Sequence, residues 1–241
     1  MNRTYSAYAA LIAAVVFCGA TPVTVATTER YLEFSAGKSR GEFDTNEVAD
    51  MYRLQLAYGQ VSGRYDHSIT ASYLFLSDEF GDDSALGDVV LRGGIMFDKN
   101  NAAKDSLYVS LALKLPTGDE SKGLSTGEAD LGGFLNYTQH YKVMNLTLMG
   151  GYIVTGDSRT RSYDDILVYG ISLSRQFDNW YVYGGLEGRQ QMLDTSDDPL
   201  ELNGGLLYQI QRSRFLTLEG IAGLNESSLD YGISVGIVNW F

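Results

Sequence analysis

The chain has 241 residues, 44% of them hydrophobic, 12% aromatic and 20% charged, with a formal net charge of −12. Such apolar and aromatic content excludes a disordered chain, and the acidic balance argues against nucleic acid as a partner, because phosphate binding needs a positive field. Beyond the first 26 residues no apolar run approaches the ~20 residues of a spanning helix, which excludes a multi-helix membrane protein.

The N-terminus reads as a secretory signal. Arg3 supplies the positive start, Ala7 to Gly19 the apolar stretch, and small residues follow as far as Ala26. Cleavage is expected after Ala26, with Ala20 as the second choice, giving a signal peptide over 1–26 and one domain over 27–241. Cys18 lies inside the signal, so the mature chain would have neither disulfide nor thiol chemistry. Loss of Arg3 would take the charge from −12 to −13.

From Tyr31 onward the apolar period is two, the signature of strands. Tyr52, Leu54, Leu56 and Tyr58 alternate with Arg53, Gln55 and Ala57. Leu107 to Leu115, Leu146 to Val154, Leu167 to Leu173 and Tyr231 to Ile237 show the same rhythm. Twelve segments are predicted: 30–40, 51–60, 68–77, 87–98, 106–116, 129–139, 145–155, 166–177, 180–189, 200–210, 215–223 and 231–241. Each is near the ~9–11 residues of a tilted membrane strand.

Long connections (41–50, 78–86, 117–128, 156–165, 190–199 and 224–230) alternate with short ones near Gly63–Asp66, Lys99–Lys104, Tyr141–Lys142, Asp178–Asn179 and Gln211–Arg214. That alternation predicts an all-β fold: a transmembrane up-and-down antiparallel β-barrel of about twelve strands in the bacterial outer membrane, both termini on the periplasmic side. The positions assigned outward carry almost no charge beyond Lys38, Arg40 and Arg175 near strand ends, where long cationic side chains reach lipid headgroups. Outward tyrosines such as Tyr52, Tyr73, Tyr152 and Tyr231 suit the aromatic girdles of such barrels. The ending Asn239-Trp240-Phe241, after alternating Ile233, Val235 and Ile237, resembles the signal read by the barrel-assembly machinery in the last strand. Lipid and lipopolysaccharide are the other expected partners, together with small solutes.

Leu113-Lys114-Leu115-Pro116-Thr117-Gly118-Asp119 is followed by Gly127, Asp130-Leu131-Gly132, Asn136-Tyr137-Thr138, Gly151-Tyr152 and Thr155-Gly156-Asp157, with Gly87-Asp88 upstream. This set resembles the outer-membrane transporter family of the meta-pathway of phenol degradation type, over roughly 70–240 and most sharply over 87–157. The resemblance implies a channel-like protein, linked in some members to aromatic catabolism. Physically, Pro116 ends a strand because it has no donor for the ladder. Gly118 supports a turn, and Asp119 can accept bonds from loop N–H groups. Gly156 and Asp157 repeat that exit on the next long loop. Loop closure is the expected role, with contact to solute or ion as the alternative.

Inward parity collects Glu33, Arg53, Arg92, Lys114, Glu187, Arg189 and Glu219, with Tyr108, Tyr181, Tyr183, Gln55 and Asn203, beside apolar Leu74, Met96, Phe134, Met149, Ile153, Leu207 and Ile221. A lumen so mixed suits small, partly apolar solutes. Arg53, Arg92 and Lys114 are expected to face Glu187 and Glu219 and set a transverse field, the alternative being charges that pair and fill the lumen. Asp88 and Asp130 open two descending strands with one strand between them, so structural or ion-pair roles are expected over acid–base chemistry. The two histidines, His67 and His140, fall near short turns and give an outer-rim serine no base, so no enzyme is expected. The outer loops are acidic (Asp78, Glu79, Asp82, Asp83, Asp119, Glu120, Asp164, Asp165, Asp194, Asp197, Asp198) without fixed ligand spacing. No cofactor or metal is therefore expected. The functional expectation is passive uptake of small solutes, aromatic or partly apolar. A closed structural or adhesion barrel, or an outer-membrane lipid-modifying enzyme, are the alternatives.

Overall fold

The computed structural model describes residues 25–42, 48–79, 81–98, 105–122, 124–156, 163–190 and 198–241. Residues 1–24 of the expected signal peptide over 1–26, and the expectations for Asp157, Asp194 and Asp197, lie outside them. Thirteen strand segments form the fold: β1 (Val25–Glu42), β2 (Val48–Gly63), β3 (Tyr65–Asp78), β4 (Gly81–Leu86), β5 (Val89–Asp98), β6 (Ser106–Leu115), β7 (Asp130–His140), β8 (Asn145–Val154), β9 (Ile166–Phe177), β10 (Trp180–Arg189), β11 (Leu200–Gln211), β12 (Arg214–Gly223) and β13 (Tyr231–Trp240).

All pairings are antiparallel between chain neighbours, and β1 also pairs with β13 from Tyr31↔Trp240 to Arg40↔Tyr231, closing the ring. Closure removes the sheet edges that hydrocarbon cannot satisfy. β4 and β5 share one track. β3 pairs with β5 through Tyr65–Thr70 and with β4 through Tyr73–Asp78, so thirteen segments make a twelve-strand barrel.

The predicted long loop 78–86 is therefore corrected. The hairpin continues upward through Asp78↔Gly81 and turns at Glu79. Periodicity misses it because Asp82, Asp83 and Ser84 stand above the apolar band, where no face must meet lipid. The strand breaks at Gly87-Asp88, where Gly87 N–H still donates to Ser72 O at 2.9 Å.

The alternation places one face in lipid. Outward Leu111 is 59% exposed and Val235 55%. Tyr52, Tyr73, Tyr152, Tyr169 and Tyr231 lie near the end with the long connections, the outer end. Tyr58, Phe97, Tyr137, Trp180 and Tyr208 lie near the other, so two girdles bound the band. Asp50 is a further charged outward residue, one that periodicity alone does not single out; it accepts from Lys38 Nζ at 3.0 Å beside Arg40.

Inside, two glycines make room for large neighbours. Tyr108 lies over Gly94, where a Cβ would collide with its hydroxyl, and so reaches Asp66 Oδ1 at 2.9 Å. Tyr183 crosses Gly205 in the same way to reach Glu219 Oε1 at 3.0 Å. Small residues on the inner face thus let tyrosines lie along the wall instead of filling the lumen.

Candidate functional site: the barrel lumen

At the outer end of β6, Lys114 is 1% exposed. Its Nζ lies 2.6 Å from Asp130 Oδ2, 3.5 Å from Asp88 Oδ2 and 2.7 Å from Thr126 Oγ1. The sequence predicts ion-pair roles for Asp88 and Asp130 across one intervening strand, and Lys114 stands on that strand. The expected transverse field is corrected at this residue: with two carboxylates against it, Lys114 adds no positive charge to the lumen.

The excess carboxylate is met by neutral donors. Asp88 Oδ1 accepts from Gly118 N at 2.9 Å and Ser125 Oγ at 2.7 Å, and Asp130 Oδ1 accepts from Gly156 N at 3.0 Å. The two Thr-Gly exits are therefore built alike, each glycine N–H capped by the aspartate that opens the neighbouring descending strand. Thr117 completes the first, its Oγ1 accepting from Val89 N at 2.9 Å and donating to Gly87 O at 3.2 Å. Pro116 ends β6, as its missing donor requires. Asp119 accepts from Ser121 N at 3.0 Å and Ser121 Oγ at 2.6 Å, and these bonds hold its carboxyl below the usual range.

This anchoring turns the connection over 116–122 and 124–129 inward. Leu124 is buried with Ala49, Met51, Leu74, Leu76 and Ala85, inner-wall residues of β2–β4, and with Leu229 from the last outer connection. Two loops thus meet over the mouth. A second apolar cluster, Val90, Ala112, Phe134, Ile153, Tyr163, Ile166 and Val168, lines the wall beneath the outer rim from β5 to β9.

The opposite wall differs. Asn136, Met149, Tyr181, Tyr183, Glu187 and Asn203 border a recess open to the lumen. Glu187 and Glu201 stand directly opposite each other on β10 and β11. Arg189 Nη1 reaches Glu201 Oε2 at 3.3 Å, and Asn203 Nδ2 donates to Glu187 Oε2 at 3.3 Å. Sequence reasoning misses Glu201, although it shares the inward parity of Asn203. Arg53, Gly37, Ser234 and Glu219 form one register row across β2, β1, β13 and β12. Arg53 and Glu219 therefore share a wall instead of facing across the pore. Arg92 donates to Ser110 Oγ at 3.4 Å and lies over the Tyr108 ring at 5.5 Å. It sits on β5, five strands from Glu187 on β10, nearly across the ring.

His67 lies on the outward face of β3, near the periplasmic end. His140 is part of a row that sequence reasoning does not assemble: Nε2 lies 3.3 Å from Ser106 Oγ and Nδ1 2.8 Å from Asn145 Oδ1, all three inward at the periplasmic end. The register of β6, β7 and β8 is the signal that could show it.

A closed twelve-strand barrel with an apolar belt, two aromatic girdles and a polar lumen defines the class: the chain is a bacterial outer-membrane β-barrel that shares its fold with channels and porins. Residues 24–239 match the family described as "Putative MetA-pathway of phenol degradation", and the chain belongs to that family. Among solved structures it is similar to the COG4313 outer membrane channel from Pseudomonas putida F1, at 16% identity and a TM-score of 0.72, over 90% of this chain and 96% of that one. It is also similar to the KdgM porin (10%, TM-score 0.59, 88% and 99%) and to the toluene transporter TbuX of Ralstonia pickettii (9%, TM-score 0.51, 90% and 89%). At these identities the likeness is one of fold. These neighbours are channels, porins and transporters, not enzymes. A comparison with curated proteins gives no match.

Proposed function

We propose that the barrel admits small, partly apolar solutes by passive diffusion through a lumen narrowed at its outer mouth by the connection over 116–122 and 124–129. The observation that carries this reading is the division of the interior. Leu124 and Leu229 crowd the mouth, while a recess walled by hydroxyl, amide, aromatic and thioether groups opens to the lumen beside β8–β11. Such a path would select for small size and tolerate apolar bodies. The family's link to phenol degradation, and the presence of a toluene transporter among the similar structures, support an aromatic solute.

Uptake of labelled aromatic acids and hydrocarbons by cells with and without the protein tests the reading. The expected result is faster uptake with it, together with small single-channel steps in planar bilayers. A folded sample without channel events would instead mean a barrel closed at the Leu124 seal. On this reading Arg92 and Glu187 would set a field across the lumen, and Arg53 would bias the wall it shares with Glu219. Neutralising Arg53 and Arg92 together should therefore shift ion selectivity toward cations, and unchanged selectivity would remove them from the pathway.

The Ser106–His140–Asn145 row favours a second reading, a hydrolytic barrel, because serine, histidine and an orienting amide stand in the order such catalysis uses. Its periplasmic position also suits a row that simply ties β6, β7 and β8 together. Labelling by a fluorophosphonate that disappears in Ser106→Ala would support hydrolysis. An unlabelled wild-type barrel would leave the row structural.

A further inference from the structure

We propose that the inner wall at Glu187, Glu201 and Asn203 is a binding site for small organic ammonium solutes with an apolar body. The proposal rests on the reading that solutes reach the lumen.

Glu187 and Glu201 oppose each other on adjacent strands, and each is only 5% exposed. Two buried carboxylates side by side repel unless a cation lies with them. Arg189 is the cation bonded there, and it reaches Glu201 from one side. Glu187 Oε1, Glu201 Oε1 and Asn203 Oδ1 have no hydrogen-bond partner. Asn203 shares the inward face two residues from Glu201 and its amide bonds Glu187, so the three residues form one acceptor-rich patch of the wall. What the patch lacks is a donor carrying positive charge. An ammonium brings three N–H donors and one such charge.

The neighbouring space suits the rest of such a molecule. Glu187 and Asn203 both border the recess that opens to the lumen. The Tyr181 and Tyr183 rings, with centroids 6.4 Å apart, line it, and aromatic rings attract cations and pack against apolar groups. Met149 lies along the wall above Gly170, where a Cβ would meet its Cε at 3.2 Å, and adds a polarisable surface. The acidic outer loops would raise the local concentration of cations at the mouth. Among the described residues no three His, Cys, Asp or Glu are grouped to hold a metal ion, so an organic cation fits the patch better than an inorganic one. A proton shared between the two carboxylates is the rival occupant.

Titration calorimetry of the whole refolded protein in detergent, at neutral pH, separates the two. Benzylamine, benzyl alcohol and benzoate are the probes. Benzylamine, protonated at that pH, should bind about tenfold or more tighter than benzyl alcohol, and benzoate should not bind. Glu187→Gln should weaken benzylamine about tenfold and move benzyl alcohol by less than about twofold. If amine and alcohol bind the wild type equally, or if Glu187→Gln leaves amine binding intact, the proposal is overturned and the oxygens belong to the shared proton. Should Glu187→Gln fail to fold, Asn203→Leu replaces it, with an expected loss of about threefold or more. The wild-type ranking decides even if neither variant folds. Binding in detergent needs no conduction. A barrel that binds benzylamine without forming channels keeps this site and loses the channel reading, whereas one that conducts without preferring the amine does the reverse.

Discussion

Two buried ionic clusters face the same lumen with the same charge balance but different surroundings. On β6 one lysine stands between two aspartates; on β10 and β11 two glutamates share one arginine. Each has one more carboxylate than cations. The first is the more nearly closed: Gly118 N, Gly156 N and Ser125 Oγ take up most of the surplus lone pairs, and Asp88 Oδ2 keeps only its 3.5 Å ion contact with Lys114. The second leaves carboxylate oxygens without partners beside a recess open to the lumen. What separates them is backbone. Strand exits carry N–H groups outside the ladder that can neutralise a carboxylate, whereas residues within strands have already given theirs to the sheet. A surplus charge is thus absorbed at the rim and left available in the wall.

The comparison breaks most visibly at Lys114. Lys114→Met leaves two carboxylates facing each other in a sealed site and should cost about 3–5 kcal/mol, read as earlier thermal loss of the compact, SDS-resistant barrel. Converting Asp88 and Asp130 to Asn in the same chain should restore most of that, since replacing a whole buried cluster is far milder than breaking it. Arg189→Met should cost less, about 1–3 kcal/mol, because the side chains it leaves border open lumen. Equal losses at Lys114 and Arg189 would mean that the two clusters are the same kind of site.

Leu124→Ala probes the lid over the closed cluster. Truncation should cost about 2 kcal/mol, the low end for a buried leucine because a loop can settle into the space. Single-channel conductance should rise as the mouth opens. A destabilised barrel with unchanged conductance would place the constriction elsewhere. Tyr183→Phe tests the open wall with a smaller effect, about 1 kcal/mol for the lost bond to Glu219.

The barrel is legible because lipid imposes a period of two on every strand at membrane depth, from Tyr52–Tyr58 to Tyr231–Ile237. Above that depth the constraint lapses, and β4 looks like loop. Inward parity can be counted, so Arg53, Arg92, Lys114, Tyr183 and Glu219 all fall on the correct face. Which of them meet depends on register between strands, and a single chain's periodicity does not contain it. Lys114 therefore passes for a pore charge, while Glu201 and the Ser106–His140–Asn145 row stay hidden. Asp88, Lys114 and Asp130 are within reach, because each lies at the outer end of three successive strands where register hardly shifts.

Asp119 gives the smallest effect and the sharpest test of how rim charges are absorbed. It lies outside the closed cluster on the same loop, and Ser121 donates to it through both backbone and hydroxyl. Those bonds favour the ionised carboxyl and hold it below its usual range. A carboxyl depressed in the folded state adds order above its unfolded value, and the contribution fades as pH falls through the folded value. Hydrogen exchange at the Ser121 amide reads it directly. At neutral pH the amide should be better protected in the wild type than in Asp119→Asn, and the two should converge once acid well below the ordinary carboxylate range protonates Asp119. A difference that persists in acid would show that a neutral side chain holds the turn as well. Rim geometry would then count for more than charge, here and at the Gly118 and Gly156 caps.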